Sequence, residues 1–333
     1  MKNKKILLFW KIVAAAIVSF VIINLLCVLY YNMPIHRDSE DNSTDYIWEK
    51  KKFYSRGTEG FTMGVTDKNG FNNLETFPKG EIDILLMGSS HMEAFNVSQD
   101  KNVTSILNRK FRESGINLNV YNIGISGHEF IMCLNHLEDA IKKFAPQEYV
   151  VIETQTIKPS IDDIKKALDG TLPTIESHNE GIVGQLQKLP YLRLVYMQLK
   201  NVVSDNGGGN NVEGGKENKE DERYSLLDEL ISKCVVSCEL AGVKPIIFYN
   251  CAIKVDEQGN VVKQEDIECI ERFKNVCEKN NVIFINMYAD FVAYYNETYK
   301  LPRGFSNTKI GSGHINEDGH HVIAERLFSE ICK

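Results

Sequence analysis

One pattern dominates the chain between residues 81 and 286: a short apolar run, a turn of glycine or polar residues, and a segment of helical period. The runs cover 81–87, 118–123, 149–152, 245–249 and 282–286. Helical periodicity follows or precedes them over 103–113, 130–144, 226–240 and 265–279, and a last helix is expected over 317–331. Runs this short and continuous suit strands buried on both faces. Alternation with helices of ten to fifteen residues makes the sheet parallel, because a parallel crossover needs a helix to cover the sheet. The expectation is an α/β fold: a flavodoxin-like, doubly wound, five-stranded parallel sheet. Chemistry in such sheets gathers outside the carboxyl ends of the strands.

The alternation breaks in the middle. Residues 157–202 carry helical patterns over 161–168 and 191–203 but no strand, which predicts an inserted helical cap beside the sheet. Residues 205–222 are rich in Gly, Asn, Lys and Glu, too polar to bury, and read as a disordered surface loop. Ahead of the sheet, residues 32–78 are polar, dotted with aromatics and weakly periodic, a juxtamembrane stalk packed partly on the domain that occupies 79–333.

The N-terminus sets the expected compartment. Lys2, Lys4, Lys5 and Lys11 precede a charge-free stretch over 12–31. At about 1.5 Å per residue twenty helical residues span roughly 30 Å, the thickness of the hydrocarbon layer. Trp10, Tyr30 and Tyr31 fall where interfacial aromatics belong, and Asp38, Glu40, Asp41 and Asp45 follow the run. The positive-inside bias puts residues 1–11 in the cytoplasm and everything beyond the single transmembrane helix outside. A cleaved secretory signal is the competing reading, though the apolar run continues past Ala14, Ala15 and Ala16 without a small-residue cleavage site. Both readings export the body.

With 38 basic and 45 acidic residues the net charge is −7, and no basic block breaks that balance. Nucleic-acid binding, which calls for a basic face, is not expected. One of the eight cysteines, Cys27, falls in the apolar run and leaves an odd seven. Cys234 and Cys238 share one helical face, so buried free thiols are expected, with one disulfide as the alternative.

Three strand-end loops carry residues suited to acyl transfer: Gly88-Ser89-Ser90-His91, Gly124-Ile125-Ser126-Gly127-His128 and Ser312-Gly313-His314-Ile315-Asn316. A serine hydroxyl needs a neutral imidazole within hydrogen-bond reach to become a nucleophile near neutral pH. Placed at a turn into a helix, it also meets backbone N–H groups that stabilise an oxyanion. The plain alternatives are a helix N-cap for Ser90 and a turn glycine for Gly127. For Asn316, capping the last helix is the expected role.

The motif Asp83-Ile84-Leu85-Leu86-Met87-Gly88-Ser89-Ser90 resembles the first block of the SGNH (GDSL-like) hydrolases, in which an apolar strand ends in Gly-Asp-Ser. Asn122 to Gly127 looks like their second block. His314-Ile315-Asn316-Glu317-Asp318-Gly319-His320 is similar to their last, and the likeness spans roughly 80–333 without the inserted middle. By this resemblance Ser90 is the nucleophile and His314 the general base, with the N–H groups of Ser90 and Gly127 as oxyanion donors. The family's Gly-Asp-Ser has Ser89 in place of Asp. Its Gly-x-Asn-Asp block is replaced by Glu153-Thr154-Gln155-Thr156, so Gln155 or Thr156 would have to supply the third oxyanion donor. The acid expected three residues before the histidine falls on Gly311, which leaves Asp290, just past the fifth strand, as a candidate for orienting the imidazole.

The resemblance implies the SGNH hydrolase fold and a membrane-anchored esterase or O-acyltransferase. It requires no metal or organic cofactor, and acts on O-acetyl groups of cell-envelope or exopolysaccharide, with a membrane acyl-donor partner as an option. The competing reading is a catalytically silent module of the same fold that binds polysaccharide or a membrane partner. A lipase working at the same membrane is a third. Hydrogen-bond contact between Ser90 and His314 separates the enzyme from the silent module.

Overall fold

A computed structural model describes residues 2–34, 36–37, 47–74, 81–172, 189–204 and 216–333. Its centre is the expected sheet. Strands β6 (Ile84–Met87), β7 (Val120–Asn122), β8 (Tyr149–Thr154), β9 (Lys244–Tyr249) and β10 (Ile283–Asn286) pair in parallel in the order β7-β6-β8-β9-β10. Relabelled by position in the chain this is 2-1-3-4-5, the flavodoxin-like arrangement.

The alternating side chains of the strands feed two apolar layers. Leu85, Met87, Val150, Ile152 and Ile247 meet one face. It is covered by α4 (Phe130–Asn135), α5 (Leu137–Phe144), α6 (Ile161–Leu168), α8 (Lys216–Ala241) and α9 (Ile267–Lys279). Ile84, Leu86, Val151, Ile246, Phe248 and Ile285 meet the other. That face lies under α3 (Val103–Glu113), α10 (Tyr288–Thr298) and α11 (Glu317–Ile331). Burying each such side chain contributes about 1.5–3 kcal/mol. β6, buried at every position, is therefore a firm base for the loop that follows it.

Several expectations are corrected. The helix expected over 130–144 is two helices with His136 between them. α8 begins at Lys216, inside the stretch expected as a loop, while 205–215 and the 173–188 part of the cap fall outside the described residues. Of the cap, α6 packs on α8 and α4 at the sheet. α7 (Pro190–Ser204) instead lies against α1 (Lys2–Tyr30). α10 was not expected, because its apolar positions are interrupted by polar ones without a clean helical stripe.

The largest difference is in the stalk, whose described part is structured. β1 (Tyr31–Asn32) continues directly from α1 and pairs antiparallel with β4 (Phe53–Arg56), which pairs with β5 (Thr62–Val65). β2 (His36–Arg37) and β3 (Ile47–Trp48) form a separate two-stranded ribbon. Tyr31, Met33, Trp48 and Tyr54 bury a small core of their own around Phe95, which stands two residues beyond α2 (Ser90–Glu93). The aromatics that looked scattered in the sequence thus fasten the stalk to the loop after β6. All eight cysteines are free thiols.

α1 is long and apolar enough to cross a membrane by length and composition, and very little of it is buried by the rest of the chain.

Candidate active site

The site grows from the end of β6. Gly88 follows Met87, and a side chain there would meet Glu153 Oε2 at 2.7 Å, so only glycine lets that carboxyl approach. Ser89 caps α2, its hydroxyl accepting from the His91 N–H at 3.3 Å. Capping therefore falls to Ser89, and Ser90, the first residue of α2, is left with its hydroxyl toward the imidazole. Its N–H is among the donors that any helix start leaves without an intrahelical partner.

Ser90 Oγ lies 2.9 Å from His314 Nε2. His314 Nδ1 lies 2.6 Å from Glu59 Oε2, and the His314 backbone N–H donates to Glu59 Oε1 at 2.8 Å. A carboxylate on Nδ1 fixes the proton there and leaves Nε2 as the acceptor facing Ser90. Burial pushes the Glu59 carboxyl up. The side-chain and backbone hydrogen bonds from His314, with Arg56 3.8 Å away, outweigh it and hold the group below its ordinary value.

Glu59 stands in the turn between β4 and β5, in the segment expected only as a stalk. Asn307 clamps this turn by donating to the carbonyls of Gly57 at 2.8 Å and Gly60 at 2.9 Å and accepting from the Gly60 N–H at 2.9 Å. Asp290, the candidate orienting acid, is not at the imidazole. It sits on α10, with Arg326 of α11 3.9 Å away.

The two candidates for the third donor position have different partners. The Gln155 side-chain amide donates to Ser89 Oγ, next to Ser90. The Thr156 hydroxyl instead accepts from the Lys158 N–H at 3.0 Å. A groove of about 270 Å³, lined in part by Gln155, Tyr249, Lys263, Gln264 and Tyr288, opens on this side.

Two buried glutamates that sequence patterns did not mark support the loops. Glu153 Oε2 accepts from the Ser89 N–H and hydroxyl, each at 2.9 Å, and Oε1 from Asn250 Nδ2 at 2.7 Å. Arg303 donates to the Asn250 carbonyl at 2.7 Å and the Gly313 carbonyl at 3.1 Å, so one chain of bonds runs from beneath Ser89 to the residue before His314. Glu93 Oε1 accepts from the Trp48 indole at 2.5 Å, and Oε2 accepts from the Ser126 hydroxyl. It thereby ties α2 to the loop of Gly127, which adopts φ +85°. Burial pushes both carboxyls up.

His91 lies beside His314, ring centroids 5.1 Å apart, and its Nδ1 accepts from the Ile315 N–H at 3.2 Å. Burial, with Arg303 and His314 near, pushes its pKa down to about 2, so it is a neutral prop for the histidine loop. His128 stacks on His136 instead, at 5.3 Å. Asn316 caps α11 through the Gly319 N–H at 3.0 Å, as its position suggested. Among the described residues no group of three or more His, Cys, Asp or Glu is placed to hold a metal ion.

The arrangement is a serine-histidine-glutamate constellation at the carboxyl edge of a parallel sheet. No protein-family model and no curated relative matches the chain. Among solved structures it is similar in fold to SGNH and GDSL-like hydrolases. One is an acetyl xylan esterase (TM-score 0.43, 15% identity, covering 75% of this chain and 99% of that one). Another is a psychrotrophic esterase from Pseudoalteromonas sp. (0.40, 14%, 75% and 96%). A third is a GDSL-like lipase from Bacteroides thetaiotaomicron VPI-5482 (0.33, 13%, 74% and 86%).

Proposed function

We propose that the chain is a membrane-anchored, extracytoplasmic serine esterase or O-acyltransferase, working on O-acetyl groups of cell-envelope or exopolysaccharide. The observation that carries the enzyme reading is the 2.9 Å contact between Ser90 Oγ and His314 Nε2, with Glu59 behind the ring. A silent module has no need to hold three such groups in line.

In this mechanism His314 Nε2 takes the Ser90 proton as Oγ attacks the ester carbonyl carbon. The backbone N–H groups of Ser90 and Gly127 and the Gln155 amide hold the oxyanion. The carbonyl re-forms as the bond to the sugar oxygen breaks, and that oxygen takes the proton from His314. Water or an acceptor hydroxyl, deprotonated by His314, then attacks the acyl-Ser90 ester and releases the acyl group with Ser90 restored. Hydrolysis and transfer share the intermediate and differ in the acceptor that reaches it. The saccharide substrate and the outward orientation rest on the motif resemblance and on the charge pattern around α1.

The test is labelling of the full-length, detergent-solubilised chain with a fluorophosphonate probe beside Ser90→Ala, followed by acetate release from O-acetylated polysaccharide. Stoichiometric labelling lost in Ser90→Ala is the expected result. A folded wild-type chain that takes no label would turn the assignment to a silent binding module.

A further inference from the structure

α7 is a helix built to lie at the level of the apolar span rather than over the catalytic sheet. Its start meets α1 well inside the apolar run: the Tyr191 ring packs edge-on against Phe20, centroids 6.3 Å apart, and the Tyr191 N–H donates to Asn24 Oδ1 at 3.4 Å. Phe20 lies ten residues before the end of α1, about 15 Å along its axis. Asn24 is the one amide side chain between Ile12 and Tyr30, and its own Nδ2 donates back to the Phe20 carbonyl at 2.9 Å.

The start of a helix normally exposes several N–H groups to water. Here Pro190 has none, Tyr191 gives its N–H to Asn24, and the Arg193 N–H donates to the Leu189 carbonyl at 3.0 Å. Three of the first four backbone positions are thus provided for, which suits a medium without water, where unsatisfied backbone groups are costly. Arg193, the charged group of this turn, bends to the Met33 carbonyl at 2.5 Å and lies over the Tyr31 ring. On the rest of the helix Val195, Tyr196 and Leu199 share one face by their spacing, and all three are exposed, Leu199 at 63%.

We propose that α7 is a second membrane-contacting element, its Val195-Tyr196-Leu199 face set into the outer-leaflet lipid beside α1. The proposal rests on the reading of α1 as a membrane anchor. α1 runs straight into β1, β1 pairs with β4, and Glu59 stands in the β4–β5 turn, so a bilayer touching α1 and α7 holds the carboxyl behind His314 at a short fixed height above it. An ester presented at the membrane surface is then within reach, and one far out on a polymer is not.

Full-length chain carrying Tyr196→Trp, and separately Leu199→Trp, is reconstituted in phosphatidylcholine vesicles and compared with the parent, whose Trp10 and Trp48 give the background. Leu240→Trp, at a position 86% exposed on α8, is the solvent reference. Flotation in alkaline carbonate is run first. The expected result is that the chain floats, and that the added emission at 196 and 199 is blue-shifted and falls at least twofold in brominated lipid, while that at 240 does not change. A floating chain with water-like, unquenched emission at both positions would overturn the role of α7 and leave the anchor standing. Blue-shifted emission that bromine does not quench would overturn it too, by showing protein rather than lipid on this face. A chain extracted by carbonate removes the anchor and the proposal together.

Discussion

Glu59 holds His314 at two points, Oε2 on the imidazole Nδ1 at 2.6 Å and Oε1 on the backbone N–H at 2.8 Å. The second contact means that the carboxyl positions the loop as well as the ring. Glu59→Gln keeps the shape but faces Nδ1 with either a weaker acceptor or a competing donor, which favours the wrong tautomer. kcat for a simple acetyl ester should fall about 10³–10⁴-fold. Asp290→Asn, which removes only the carboxylate near Arg326, should leave kcat unchanged. Steady-state kinetics on the two variants decides between them, and a larger loss from Asp290→Asn would remove Glu59 from the mechanism.

The Gln155 amide is the expected oxyanion donor because it already reaches Ser89, while Thr156 is engaged with the Lys158 N–H. Loss of one such donor costs about 10²–10³ in kcat. Gln155→Ala should show that loss with KM little changed and an unaltered melting temperature. Thr156→Ala should lose far less. Equal kcat for wild type and Gln155→Ala would mean that the amide only braces Ser89.

Glu93 gives a pH signature. Its folded carboxyl is raised by burial, so above its ordinary value near 4.5 the unfolded chain releases a proton that the folded chain keeps. The folded chain then binds more protons, and this group's contribution to stability falls as pH rises. Glu59, shifted the other way, contributes stability above its unfolded value that is lost as pH drops through its lowered folded value. Glu93→Gln removes the first effect and mismatches donors from Trp48 or Ser126, at a cost of about 1–3 kcal/mol. The variant should melt below wild type at pH 5, and the gap should narrow toward pH 8. Calorimetry at both values is the check, and a gap that widens with pH would show Glu93 ionised in the folded chain.

The sheet was legible because β6 and β8–β10 are continuous apolar runs, and β6, β9 and β10 adjoin turns that carry Gly, Ser or Asn, a local signal. Ser90 and His314 were legible for the same reason, since each sits in a short motif beside its own element. Glu59 was not. It lies 255 residues from His314, and its hairpin carries only four-residue strands whose one buried aromatic, Tyr54, packs on Phe95. Nothing local distinguishes it from the other acids of the stalk except its place between Gly57 and Gly60. Glu93 and Glu153 were hidden likewise, because a buried carboxyl looks in sequence like any helix or strand-end glutamate until its donors from Trp48, Ser126, Ser89 and Asn250 are seen around it.

Gly313 makes the coupling of Glu59 to His314 testable through the backbone. It has φ +85°, and a Cβ there would come within 2.5 Å of Glu59 Oε1. Gly311, two residues earlier at φ +82°, would place its Cβ 2.9 Å from Leu301 Cδ1, the mobile end of an aliphatic side chain. Alanine at either site carries the same left-handed strain, about 1–2 kcal/mol. Gly311→Ala should therefore lower the melting temperature and keep kcat. Gly313→Ala should lower it similarly and also lose most of its activity, because the methyl displaces the carboxyl. Combining Gly313→Ala with Glu59→Gln separates a direct from an indirect effect. If the methyl acts through Glu59, the double variant is no slower than Glu59→Gln alone, whereas multiplied losses would mean that residue 313 supports His314 by a route that does not pass through the acid.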